Sequence, residues 1–155
     1  MRRGTQGRAG DFGAGNGCMA MKTCLIVEDS ALIREIAARI VRELGFEPRE
    51  ASSADDAVAL CAQSKPDVVL LDWDLPGLGA LDFLRGVGGL EAEARPTIVL
   101  CATEHDPQQF ALAHAAGVAG HLMKPFDARL IAEKFVELGL IPAGAAQTVA
   151  AGKAS

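Results

Sequence analysis

Val68-Val69-Leu70-Leu71-Asp72-Trp73-Asp74-Leu75-Pro76 is the stretch on which the reading of the whole chain turns. Four apolar residues in a row, led by β-branched valines, predict a strand buried on both faces, as in a parallel sheet. The run stops on a carboxylate. In open α/β sheets, ligands bind beyond the carboxyl ends of the strands, which is where Asp72 falls. Pro76 and Gly77 then turn the chain and hold that Asp at a rim. Two other segments share the pattern: Leu25-Ile26-Val27 runs into Glu28-Asp29, and Gly120-His121-Leu122-Met123 runs into Lys124-Pro125. Carboxylates and one ammonium at several strand ends predict a cation site beside a nucleophile.

Working outward, the chain alternates strand and helix signals five times. Strands are expected at Thr23–Val27, Glu47–Ala51, Val68–Leu71, Thr97–Cys101 and Gly120–Met123. The first helix, capped by Asp29 or Ser30, carries Ile33, Ile36, Ala37, Ile40, Val41 and Leu44 at 3.6-residue spacing and stops at Gly45. The second starts behind Ser53, with Asp55 and Asp56 in its first turn, and runs to about Ser64. Ala80–Val87 is the third, followed by a connection loosened by Gly86, Gly88 and Gly89. Asp106-Pro107 opens an Ala-rich fourth helix, and Asp127 caps a fifth that turns Leu130, Ile131, Phe135 and Leu138 inward. Five βα units with right-handed crossovers give a (βα)5 doubly wound α/β fold: one parallel five-stranded sheet with helices on both faces.

Composition narrows the function. The chain has 155 residues, half of them hydrophobic, which suits one core. Net charge −5 is the wrong sign for nucleic acid, so no such partner is expected. Cys18, Cys24, Cys61 and Cys101 lack metal-binding spacing and read as buried reduced thiols of a cytoplasmic protein. No apolar run approaches the ~20 residues that cross a bilayer, and no signal peptide is evident. Residues 1–20 are Gly-rich and read as a disordered extension, with Met21 a second candidate start. The ordered domain is expected over 21–141 and a frayed tail over 142–155. The residues after Leu140 leave no room for an output domain, so output is expected to be a protein contact.

The strand-end residues define the chemistry. Glu28 and Asp29 repel one another unless a cation is shared, and oxygen ligands suit a hard ion such as Mg2+. The plain alternative is a helix-capping Asp29 beside a surface Glu28. Asp72 is the candidate nucleophile, since a carboxylate can attack phosphorus and form an acyl phosphate. Mg2+ would offset repulsion from the incoming phosphoryl group. Lys124 can pair with Asp72 at rest and with a phosphoryl oxygen afterwards. Asp74, two residues on, lies near the path of an attacking water and is expected to influence the lifetime of the acyl phosphate.

Leu25-Ile26-Val27-Glu28-Asp29-Ser30, Leu70-Leu71-Asp72-Trp73-Asp74-Leu75-Pro76 and Lys124-Pro125-Phe126 together resemble the receiver domain of two-component response regulators, over about Lys22 to Leu140. The resemblance implies the flavodoxin-like form of the fold. It implies that Asp72 accepts a phosphoryl group from a phosphohistidine on a sensor histidine kinase or a phosphotransfer protein. It implies Mg2+ held by Asp29, Asp72 and the backbone carbonyl of Asp74, with Glu28 acting through water, and Lys124 as a phosphoryl contact. Output would pass through the face made by helix four, strand five and helix five, in a chemotaxis-type regulator or, next, a phosphorelay shuttle. Receivers carry Ser or Thr at the end of strand four. Counting from Pro96 places Cys101 there, counting from Asp72 and Lys124 places Ala102, and Thr103 is the nearest hydroxyl. His121 stands where receivers have a switching aromatic. Two competing readings remain: a haloacid-dehalogenase-type phosphatase using Asp72 and Asp74, and a receiver-like module that binds without phosphorylation.

Overall fold

A computed structural model describes residues 21–77 and 79–144. The readings for 1–20 and for the tail from 145 onward lie outside the described residues. The apolar runs form strands β1 (Lys22–Val27), β2 (Phe46–Ala51), β3 (Val68–Asp72), β4 (Thr97–Ala102) and β5 (Gly120–Met123). Between and after them lie helices α1 (Ala31–Glu43), α2 (Ala54–Ser64), α3 (Gly79–Gly88), α4 (Pro107–Ala115) and α5 (Ala128–Glu137). All pairings are parallel, in the order β2-β1-β3-β4-β5. That order reverses direction at β1/β3, where doubly wound sheets bind their ligands.

Period-2 alternation sorts each strand's side chains into two layers. Cys24, Ile26, Val68, Leu70, Val99 and Cys101 pack under α1 and α5. Leu25, Val27, Val69, Leu71, Leu100 and Ala102 pack under α2, α3 and α4. Every residue of β3 is buried, including Asp72. It is a central strand with a helix layer on each face, so only its last residue reaches the rim. β2 is one of the two edge strands, which is why Pro48 is tolerated inside it.

Side-chain caps set the helix starts. Ser30, Ser53, Asp106 and Asp127 each accept a backbone N–H from the first turn, and Ser30 rather than Asp29 caps α1. Gly45 follows α1 at φ 93, a left-handed value that costs glycine nothing.

Three packing expectations are corrected. Ile36 is 40% exposed, because α1 seats its small face, Ala37 and Ala38 with Ile40 and Val41, against the sheet. Leu130 is 41% exposed, since Ile131 and Phe135 fill the inward face of α5. Gly86 and Gly88 lie within α3 and do not loosen a loop. A Cβ on Gly86 would sit 2.6 Å from Val58 Cγ2, so this glycine lets α3 approach α2 closely. Alanine's helix propensity gains about 1 kcal/mol over glycine, but overpacking against a stiff Val costs about 1–3 kcal/mol. We therefore expect Gly86→Ala to lower the denaturant midpoint, and adding Val58→Ala to restore it. A midpoint unchanged in the single variant would show the contact to be loose.

Candidate functional site

β1 and β3 end side by side, β5 ends one strand further on beyond β4, and the three deliver Glu28, Asp72 and Lys124 to one pocket. Glu28 and Asp72 are only 4% and 3% exposed, so their charges need partners. Lys124 supplies them, with Nζ donating to Glu28 Oε1 at 2.9 Å and to Asp72 Oδ1 at 2.8 Å. The Ser30 backbone N–H donates to Glu28 Oε2 at 3.0 Å, and the Asp74 backbone N–H donates to Asp72 Oδ1 at 2.9 Å. Arg34, which the sequence reading passed over, donates to the Glu28 carbonyl at 2.7 Å and pairs with Glu50 at 3.2 Å. Nothing local marks Arg34, since its role depends on α1 lying over the end of β1.

Burial pushes the Glu28 carboxyl up; the Lys124 and Ser30 donors pull it back, and the nearby Asp72 charge adds to the rise. Burial alone would lower Lys124, but its hydrogen bonds to Asp72 and Glu28 outweigh that and hold the ammonium above its ordinary value. The pocket is thus a fixed cation between two buried acids, one of them reluctant to ionise.

Oxygens of Glu28, Asp29 and Asp72 lie within 4.8 Å of one another. Mg2+ takes oxygen ligands from carboxylates, and three carboxylate oxygens gathered this closely are of the kind that could hold it. The donor set is all oxygen and therefore fits Mg2+ better than a soft metal. Asp72 Oδ2 accepts no hydrogen bond from the described residues, which leaves one carboxylate oxygen open to a ligand or an electrophile. Asp74 does not turn its side chain into the cluster. Its Oδ2 accepts from the Thr103 backbone N–H at 3.3 Å and from Thr103 Oγ1 at 3.1 Å. Neither sequence spacing nor charge pattern could have shown that bond across 29 positions.

Cys101 pairs with Asp72 in register and lines a crevice with Glu28 and Asp72, whereas Ala102 packs in the opposite layer. Ala102 is the last residue of β4, and its carbonyl accepts the Lys124 N–H at 2.7 Å. Cys24, Cys61 and Cys101 are buried free thiols, as expected, while Cys18 lies outside the described residues. Burial pushes Cys61 up to about 11 and Cys101 to about 12. No described helix is long and apolar enough to cross a membrane.

His121 is half-buried on β5, with its ring 4.4 Å from that of Phe110 and 6.2 and 6.4 Å from those of His105 and His114. Burial lowers its pKa, Lys134, His105 and His114 lower it further, and Glu137 opposes them. The folded protein therefore takes this proton less readily than the unfolded chain. Stability from this group is complete above about pH 6.5 and falls as the pH drops below it. We expect His121→Phe, which keeps the ring contact, to flatten the loss of stability between pH 7.5 and 5 in urea titrations. Parallel losses in the two proteins would remove His121 from the acid response.

A parallel sheet with an Asp–Lys–acid-pair pocket at its switch point is the architecture of a signalling module, and the comparisons with known proteins place the chain in such a family. Residues 24–136 match the response regulator receiver domain, and the chain belongs to that family. Receiver domains are signalling proteins rather than classical enzymes. The chain is 31% identical over 115 residues to the chemotaxis protein CheY of Pseudomonas aeruginosa, covering 74% of this chain and 93% of that one. It is 41% identical over 113 residues to the positive alginate biosynthesis regulatory protein of the same organism, covering 70% of this chain but 44% of that longer protein. Among solved structures, chemotaxis protein CheY4 of Vibrio cholerae superposes with a TM-score of 0.71 at 25% identity, covering 76% of this chain and 98% of that one.

Proposed function

We propose that this protein is a response regulator of the cytoplasm whose receiver domain accepts a phosphoryl group on Asp72. The observation that carries this is the Lys124 bridge between Asp72 and Glu28, with Asp29 completing an acidic cluster on the same rim. The donor is a phosphohistidine on a sensor histidine kinase or phosphotransfer protein. Asp72 Oδ2 attacks phosphorus; the P–N bond breaks, and its electron pair stays on the donor imidazole. Lys124 Nζ moves from carboxylate to phosphoryl oxygen as charge builds there. Asp29, Asp72 and the backbone carbonyl of Asp74 would hold Mg2+, with Glu28 acting through water. When bound, Mg2+ neutralises charge between the carboxylate and the phosphoryl oxygens. Hydrolysis reverses the state: water attacks phosphorus, the aspartyl O–P bond breaks and the carboxylate returns.

Thr103 is the hydroxyl nearest to serve as a second phosphoryl contact, since Cys101 and Ala102 offer none. His121 takes the place of a switching aromatic on the face of α4, β5 and α5, through which a protein target would be engaged. A chemotaxis-type role is favoured over a phosphorelay shuttle, because chemotaxis proteins of Pseudomonas aeruginosa and Vibrio cholerae are among the relatives the chain matches. Labelling with a small-molecule phosphodonor and Mg2+, read by intact mass, tests the proposal: one phosphoryl group per chain supports it, and none refutes it. Asp74→Asn is expected to slow dephosphorylation several-fold if its carboxylate orients the attacking water. An unchanged rate would exclude Asp74 from that step.

A further inference from the structure

The turn after the phosphoacceptor grips the segment from the end of β4 to the first turn of α4 at two points. Trp73 Nε1 donates to Gln109 Oε1 at 2.9 Å, and Asp74 Oδ2 accepts both Thr103 donors. Gln109 lies in the first turn of α4, and Thr103 is the residue that follows β4. Asp74 is itself tied to the acceptor, because its backbone N–H donates to Asp72 Oδ1. A chain of hydrogen bonds therefore runs from the Asp72 carboxylate through Asp74 to Thr103, and Trp73, covalently between Asp72 and Asp74, holds Gln109 at the other end of the 103–109 segment.

Other restraints on that segment are few. α4 buries only Phe110 and Ala113, and neither Cys101 nor Ala102 has a hydroxyl to tie the end of β4 to the acceptor. Both gripping contacts are solvent-exposed, so water competes for them and they are cheap to break. A phosphoryl group adds negative charge and new acceptor oxygens to the very carboxylate that Asp74 N–H holds, two residues from the Asp74 side chain. Like charges at that separation repel.

We propose that Trp73 and Asp74, closed on Gln109 and Thr103, form a clasp that positions the first turn of α4 in the resting protein, and that phosphorylation of Asp72 opens it. These are positioning residues that act through α4, and the inference rests on Asp72 being the phosphoacceptor. Trp73 is the only tryptophan in the chain, so its emission reads the clasp without a label.

The test uses the full chain with Mg2+ and acetyl phosphate, following intact mass, Trp73 emission and amide exchange over residues 104–110. Phosphorylated wild type should show shifted emission and several-fold faster exchange. Unphosphorylated Gln109→Leu should already show both, while Gln109→Glu, which keeps an acceptor oxygen of the same reach, should rest like wild type. Phosphate present by mass with emission and exchange unchanged would overturn the clasp and leave the acceptor reading intact. Gln109→Leu indistinguishable from resting wild type would also overturn it. No gain in mass would refute the acceptor reading, and the clasp with it. A purely structural bond would raise exchange in Gln109→Leu but give wild type no response to phosphorylation.

Discussion

Asp72→Asn is expected to gain no phosphoryl mass under conditions that label the wild-type protein completely. The amide that replaces the carboxylate is a poor nucleophile, and no second acid is placed to substitute. Asp29 is exposed and sits at the edge of the cluster, Glu28 has both its side-chain oxygens engaged by Lys124 and Ser30, and Asp74 turns away to Thr103. The same experiment separates the competing functions. A haloacid-dehalogenase-type phosphatase would turn over a small phosphate ester repeatedly, while a receiver labels once and releases slowly. A module that binds without phosphorylation would leave wild type as unlabelled as the variant. Labelling that persists in Asp72→Asn would move the acceptor elsewhere and undo the proposed function.

Lys124→Met is expected to cost on the order of 3 kcal/mol of stability in Mg2+-free buffer at neutral pH. Met keeps the length and packing of the aliphatic stem but removes the charge. The Lys124 side chain is 11% exposed, and those of Glu28 and Asp72 are 6% and 3%, so solvent screens the trio little. Two buried carboxylates would then face each other without a counter-ion. Added Mg2+ should recover much of the loss, because a divalent ion on Glu28, Asp29 and Asp72 supplies positive charge in place of the ammonium. The sign of the pH dependence follows from Glu28. Its raised pKa means the folded state holds that proton more readily than the unfolded chain, so its ionisation weakens folding as the pH rises above about 4.5. The deficit of Lys124→Met should therefore shrink on acidification toward that value. Chemical denaturation with and without Mg2+ at two pH values measures this. Stability equal to wild type without the metal would show that the acids relax into water, and that the bridge contributes little.

Much of the fold is visible in short windows of sequence. The β3 run Val68–Leu71 is apolar without alternation because both faces of a central strand are covered, and that signal needs no partner to be read. Ser53, Asp106 and Asp127 mark helix starts because a cap acts on backbone groups two or three residues away. Burial on the helix surfaces was less legible. Ile36 and Leu130 satisfy the 3.6 period yet stay exposed, since which edge of an apolar stripe touches the sheet depends on how the helix is rolled. Gly86 reads as a loop residue until Val58 is seen against it.

By itself, the sequence singled out the residues proposed to carry the chemistry: Glu28, Asp29, Asp72 and Lys124 each lie at the end of an apolar strand, and parallel strands of one sheet must end on one rim. Only the tertiary structure decided how those groups are shared. It set Lys124 between Asp72 and Glu28 rather than on either alone, turned the Asp74 carboxylate to Thr103, and joined Trp73 to Gln109. Strand and cap signals are local, within a few residues, whereas each of those bonds closes a loop of 29 to 96 residues. Their geometry exists only after the sheet order and the helix placements have brought the ends together.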